Sequence, residues 1–148
     1  MTTAAKVIII VSVCIILSVL AIVAAGVYWW SRHGRQVVGA VDTSIKQGTE
    51  FGRKTDNQGC VDEALSRYRE DQGFNGAISA GVFVSTCLDK SRPTPGFCDD
   101  VPRPTDFMKS AAWQIRKCKE AGLPDPYCRQ LYSQIEQYCE RERMKNAK

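Results

Sequence analysis

The sequence predicts a mainly α-helical protein: a single N-terminal transmembrane helix followed by a small, disulfide-stapled bundle of about four helices. Three observations predict this architecture. Residues 7–30 form an apolar run of 24 residues without a charge. Six of the seven cysteines lie in residues 56–148, the predicted cysteine-rich helical domain. Between those cysteines, apolar residues recur at the spacing of amphipathic helices.

The first element is the apolar run. Residues 1–6 form a short leader, and a helix over residues 7–30 would measure about 36 Å, more than the roughly 30 Å hydrocarbon core of a bilayer. The run is longer than the apolar region of a cleaved signal peptide, so we expect it to remain as an anchor. At the C-terminal end of the apolar run stand side chains typical of a membrane interface: Tyr28, Trp29, Trp30, Arg32 and Arg35.

Residues 31–55 are predicted to lie between the anchor and the folded domain. Val37, Val41 and Ile45 recur near helical spacing, which favours a helix that continues from the anchor or lies at the interface. The glycines in this stretch weaken a helix and favour a stalk that keeps the domain off the bilayer. Both interpretations remain open on sequence alone.

Two helices are predicted to open the folded domain. Residues 60–71 carry apolar residues at helical spacing, from Val61 to Tyr68. Residues 75–90 are apolar nearly all round, so this segment should be the most buried element. A short strand at residues 82–84 is the alternative. We prefer a helix because the apolar run has helix length and no partner strand is evident.

Two further helices complete the bundle. A loop with four prolines, residues 91–104, precedes a helix over residues 105–121. Asp125 caps the last helix, Pro126 takes its first position, and the chain frays from residue 140. The expected core face of the helix over residues 105–121 is its apolar side: Phe107, Met108, Ala111, Ala112, Ile115 and Cys118.

The six domain cysteines predict three disulfides, for which counting alone allows 15 pairings. The predicted helices narrow the choice. An antiparallel hairpin of the first two helices would join the cysteines at its open end, and the turn before the last helix would join the two cysteines that flank it. The predicted bridges are Cys60–Cys87, Cys98–Cys139 and Cys118–Cys128. Cys14 lies within the anchor, where a cysteine behaves as a small apolar side chain.

The composition excludes several classes of function. The single histidine, His33, lies beside the anchor, so the domain lacks a histidine general base and a mixed Cys/His zinc site. No glycine-rich phosphate loop is present. Residues 56–148 carry 14 basic and 14 acidic side chains, which argues against a nucleic-acid-binding body. We therefore expect no enzyme activity, no cofactor and no metal, and the sequence indicates no small-molecule ligand.

Aromatic residues near the C-terminus form a candidate partner surface: Trp113, Tyr127 and Tyr132. Tryptophan and tyrosine beside arginine are typical of the residues that dominate protein–protein binding energy. The alternative, which the small size of the domain favours, is that these rings enlarge the core.

Two signals conflict over the orientation of the chain. More basic residues follow the anchor than precede it, which favours a cytoplasmic domain. Six cysteines in a small domain favour an oxidising compartment, and we give them more weight. We expect a single-pass protein of a bacterial inner membrane with a periplasmic domain. It would act as an accessory, assembly or interaction subunit, with the lipid bilayer and other envelope proteins as partners. The alternative is a cytoplasm-facing adaptor with reduced cysteines or a thiolate metal site.

Overall fold

The computed structural model describes the backbone of residues 3–147 and the side chains of residues 10–32 and 38–147. Five helices follow one another in the described chain: α1 (Thr3–Gly52), α2 (Asn57–Glu70), α3 (Phe74–Leu88), α4 (Phe107–Glu120) and α5 (Cys128–Asn146). The predicted mainly α-helical class, with one apolar N-terminal helix and a disulfide-bonded helical domain, is confirmed.

The chain divides into two compact units, Met1–Gly39 and Ala40–Lys148. In the first unit, Ile10–Arg32 has a mean hydropathy of 2.9, and its side chains are not buried by other parts of the protein. This helical stretch has 23 residues, all uncharged except the final arginine, and is long enough to cross a membrane. The described part of the first unit therefore contains a candidate membrane span.

The second unit includes residues 40–52 of α1, which we expected to lie outside the folded domain. Gly48 and Gly52 lie against α3. A Cβ atom at Gly48 would be 2.6 Å from the carbonyl oxygen of Phe83, and one at Gly52 would be 2.5 Å from that of Cys87. The glycines that weaken an isolated helix are therefore the residues that let this helix approach α3 closely.

Polar side chains define where α2 begins. The carboxylate of Asp56 accepts a hydrogen bond from the backbone N–H of Gly59 at 2.9 Å, which caps the helix a few residues earlier than the apolar pattern indicated. The buried Asn57 side chain donates to Ser91 Oγ at 2.9 Å and accepts from the backbone N–H of Thr94 at 2.7 Å. Asn57 thus ties the proline-rich loop to the start of α2.

Helix α3 is the central element of the second unit. It packs against both α2 and α5. Ala77, Phe83, Val84 and Leu88 on this helix are buried almost completely. The segment is helical throughout, so the short strand considered above does not form. A helix that is apolar on every side is stable only when its neighbours cover it, which explains its central position.

The orientation of α4 differs from our expectation. Its core face contains Ser110, Trp113 and Cys118, while Phe107 and Ile115 point outward. Residues 113 and 115 lie about 200° apart around a helix, so a helix that buries the tryptophan must expose the isoleucine. The predicted core face of α4 was therefore wrong for Phe107, Met108, Ala112 and Ile115, because the larger indole ring takes the core position.

Helix α5 begins at Cys128, two residues after Pro126, and continues to Asn146 without the frayed end that we expected from residue 140. Contacts to the loop and to α3 hold this last part. The guanidinium of Arg143 donates hydrogen bonds to the carbonyl oxygens of Cys98 and Val101. Arg141 forms an ion pair with Asp89 at 2.8 Å. These contacts connect the end of α5 to the body of the domain.

Candidate interaction surface

Three disulfides connect the elements of the second unit. Cys60–Cys87 joins α2 to α3, Cys98–Cys139 joins the proline-rich loop to α5, and Cys118–Cys128 joins the end of α4 to the start of α5. These are the three pairs that the helical arrangement led us to expect. The paired sulfurs lie in the core or against it, so they support the fold and do not form an exposed redox site.

The predicted membrane-interface residues lie in the first unit, outside the disulfide-bonded domain. Tyr28, Trp29 and Trp30 are all exposed in the first unit. The guanidinium of Arg32 lies 5.5 Å from the centroid of the Tyr28 ring, a cation–π contact. The side chain of Arg35 lies outside the described residues. Cys14 is exposed in the candidate span and has no disulfide partner.

The structure separates the three aromatic residues of the predicted partner surface. Trp113 and Tyr132 are only 5% and 6% exposed, and their rings meet edge to face with centroids 5.5 Å apart. Tyr127 is exposed and instead contacts Phe74, with ring centroids 6.2 Å apart. The two buried rings therefore enlarge the core. Tyr127, together with Phe74, remains on the surface.

The outward side of α4 is the apolar surface that our sequence analysis missed. We call the α4 stripe the residues Phe107, Met108, Ala111, Ala112 and Ile115, all of which are exposed except the half-buried Ala111. Phe107 is 81% exposed, Met108 is 84% exposed and Ile115 is 54% exposed. The sequence did contain the signal, because these residues share one side of a helix. We expected that side to face the core, with Trp113 beside it and partly exposed, whereas Trp113 is buried and the apolar side faces outward.

Basic side chains border the α4 stripe. Residues 103–120 contain five basic residues and two acidic ones, although residues 56–148 as a whole carry equal numbers of each. Lys109 pairs with Asp106 at 3.0 Å, and Lys117 pairs with Glu120 at 3.1 Å. Arg116 shares the same glutamate at 3.7 Å. Because Asp106 and Glu120 are the two carboxylates available to five cations, this region carries an excess of positive charge.

A shallow depression of about 360 Å³ lies over the buried rings. Its lining is mainly apolar and comes from the proline-rich loop and from α2, α4 and α5, including Val61, Leu65, Trp113 and Tyr132. The indole Nε1 of Trp113 is buried without a hydrogen-bond partner among the described residues. The charged residues of its lining are Asp100 and Lys117, and the rest of the lining offers mainly shape and apolar contact.

Two buried ionisable side chains, Tyr68 and Glu136, form hydrogen bonds between elements. The hydroxyl of Tyr68 donates to Asp125 Oδ1 at 2.6 Å, and burial, aided by this hydrogen bond, raises the pKa of Tyr68 to about 12. Glu136 Oε2 accepts hydrogen bonds from Ser110 Oγ and Gln114 Nε2, each at 2.8 Å. The first contact joins α2 to the turn before α5, and the second joins α4 to α5.

Among the described residues, no group of three or more histidine, cysteine, aspartate or glutamate side chains comes together in a way that could hold a metal ion. Comparison with known proteins found no matching family, no similar curated protein and no similar solved structure.

Proposed function

We propose that this chain is a non-enzymatic accessory subunit of a bacterial cell envelope. It would be anchored in the inner membrane by the apolar segment of α1 and hold its disulfide-bonded domain on the periplasmic side. The single observation that carries this proposal is the pairing of all six domain cysteines within one compact unit. Disulfides persist in exported compartments and are rare where thiols are kept reduced.

A role in binding is supported by the distribution of polar and apolar side chains. The buried Tyr68 and Glu136 use their polar atoms in hydrogen bonds that connect α2 to the turn before α5 and α4 to α5. Within the second unit, most of the large exposed apolar side chains lie on the α4 stripe and in the Phe74–Tyr127 pair. Contiguous exposed apolar side chains mark interaction surfaces more often than catalytic sites.

Labelling of single added cysteines tests the proposed orientation. In a Cys14→Ser background, Gln137→Cys introduces a thiol at an exposed position of α5, and Thr3→Cys introduces one before the span. A membrane-impermeant maleimide should label residue 137 in cells whose outer membrane has been permeabilised, and label residue 3 only after lysis. The reverse pattern would favour the cytoplasm-facing adaptor with reduced cysteines.

A further inference from the structure

The α4 stripe combines exposed apolar side chains with an adjoining row of cations. Phe107, Met108 and Ile115 lie on the outer side of the helix, and Lys109 and Arg116 follow along one edge. Water contact with such a row of apolar side chains is unfavourable, and small monomeric domains rarely expose one without a partner. The combination of an apolar side and a basic edge is typical of helices that lie in a membrane interface.

The charge around the stripe points in the same direction. Arg103 and Lys119 form no ion pair within the part of the chain that the structure describes. Both lie in the segment that carries three more positive than negative charges. Each lysine or arginine near an anionic bilayer favours binding about fivefold. An anionic surface would therefore complement this edge.

We propose that the α4 stripe docks on the surface of an anionic bilayer. Phe107, Met108 and Ile115 enter the boundary between head groups and acyl chains, while Lys109, Arg116 and Lys119 contact head-group phosphates. The proposal rests on the proposed membrane attachment but does not depend on which side of the membrane the domain occupies. The folded domain would then contact lipid directly, in addition to the contact that the anchor makes.

Two features favour the bilayer over other occupants. The same chain carries the candidate span, so the stripe meets lipid as an intramolecular partner at high effective concentration. A second copy is less suitable. An antiparallel two-fold pairing of α4 helices would bring Lys109 and Arg116 of one copy beside those of the other, where like charges repel.

Fluorescence of the full-length chain in nanodiscs tests the proposal. In a Cys14→Ser background, Met108→Cys and Ile115→Cys variants carry an environment-sensitive nitrobenzoxadiazole label, and Met144→Cys, which replaces an exposed methionine of α5, is the matched control. Each disc holds one copy and contains phosphatidylcholine with or without phosphatidylglycerol. Lipids with nitroxide on the acyl chain should quench labels 108 and 115 at least twofold more than label 144, and more strongly when phosphatidylglycerol is present.

A charge variant separates electrostatic attraction from apolar contact. The double variant Arg116→Gln/Lys119→Gln should lower the ratio of docked to undocked molecules by roughly 25-fold in anionic discs, at about fivefold for each cation. Arg129→Gln, which removes an exposed cation of α5, is the control and should leave the ratio unchanged.

Several results would overturn the proposal. Equal quenching at residues 108, 115 and 144 would show that the stripe does not meet lipid. A spectral shift that needs two copies per disc would assign the stripe to a second copy, and one seen in native membranes but not in pure lipid would assign it to a protein. Failure of the chain to enter nanodiscs would contradict the membrane attachment itself.

Discussion

The hydrogen bond between Tyr68 and Asp125 is the clearest single-residue link between distant parts of the chain. Tyr68 is fully buried, its hydroxyl donates to the carboxylate, and the same oxygen accepts from the backbone N–H of Gly73. Tyr68→Phe should lower the free energy of unfolding by about 2 kcal/mol, because a hydrogen bond to a charged group is lost in the core. Urea unfolding followed by circular dichroism measures this change. Tyr127→Phe, at an exposed ring, should change it by less than about 0.5 kcal/mol.

The same residue predicts how stability depends on alkaline pH. The pKa of Tyr68 is raised from 10.0 to about 12 in the folded protein, so the folded state keeps the phenolic proton over an interval in which the unfolded chain loses it. The contribution of this group is therefore complete below pH 10 and is lost as the pH rises through about 12. The wild-type protein should lose on the order of 2 kcal/mol more than Tyr68→Phe between these pH values. Parallel pH profiles for the two proteins would contradict this assignment.

Glu136 makes a second testable residue-scale link, between α4 and α5. Its side chain is buried, accepts from Ser110 and Gln114, and has no cationic partner within the described residues. Glu136→Gln keeps an acceptor oxygen and removes a buried charge, so it should change the free energy of unfolding by no more than about 1 kcal/mol. Glu136→Ala should lower it by about 2 to 3 kcal/mol, since both donors lose their acceptor. Denaturant titration of both variants measures these changes. Equal losses of unfolding free energy in Glu136→Gln and Glu136→Ala would show that the charge itself is required.

At the scale of elements, the contact between α1 and α3 depends on two glycines. Gly48→Ala or Gly52→Ala should destabilise the second unit by about 1 to 3 kcal/mol, because the added methyl group would overlap backbone atoms of α3. Gly39→Ala is the control, since a Cβ atom there meets nothing within 4 Å. It should be neutral or stabilise the helix by up to about 1 kcal/mol. Hydrogen exchange of the amides at residues 44–52 measures the effect. Unchanged protection in the Gly48 and Gly52 variants would show that the close approach is not required.

The elements also show what the sequence could and could not predict. The disulfide pairs followed from helix order alone, because each bridge spans a predicted hairpin, turn or loop. The packing of residues 40–52 against α3 could not be predicted from the sequence. Helix propensity treats a glycine as destabilising, whereas Gly48 here allows close tertiary contact. The rotation of α4 depends on whether Trp113 or its apolar neighbours occupy the core. The spacing of apolar residues does not decide between them. The Tyr68–Asp125 contact joins residues 57 positions apart, beyond the reach of local patterns.

At the scale of the whole domain, the contribution of each disulfide should rise with the length of chain that it encloses, and only logarithmically. They span 41, 27 and 10 residues for Cys98–Cys139, Cys60–Cys87 and Cys118–Cys128. Loop-closure entropy predicts losses of about 4, 3.5 and 3 kcal/mol when each pair is replaced by alanine. Thermal unfolding of the three paired variants tests this order. A smallest effect for Cys98–Cys139 would contradict the entropic explanation.

These contributions are comparable with the total stability of a domain of this size, about 5 to 15 kcal/mol. The disulfides are therefore expected to decide whether the domain is folded, because a small core leaves little excess stability. The span and the domain also impose different conditions, since one needs a lipid environment and the other an oxidising one. The proposed export across an inner membrane, with the anchor retained, would satisfy both conditions.

The proposed function requires that three disulfides hold the domain together in its native compartment. To test this, cells are quenched in acid, free thiols are alkylated, and the mass of the intact chain is determined before and after reduction. We expect one alkylated cysteine, Cys14, before reduction and all seven after it. Seven alkylated cysteines without reduction would contradict the disulfide-bonded fold and the proposed compartment together.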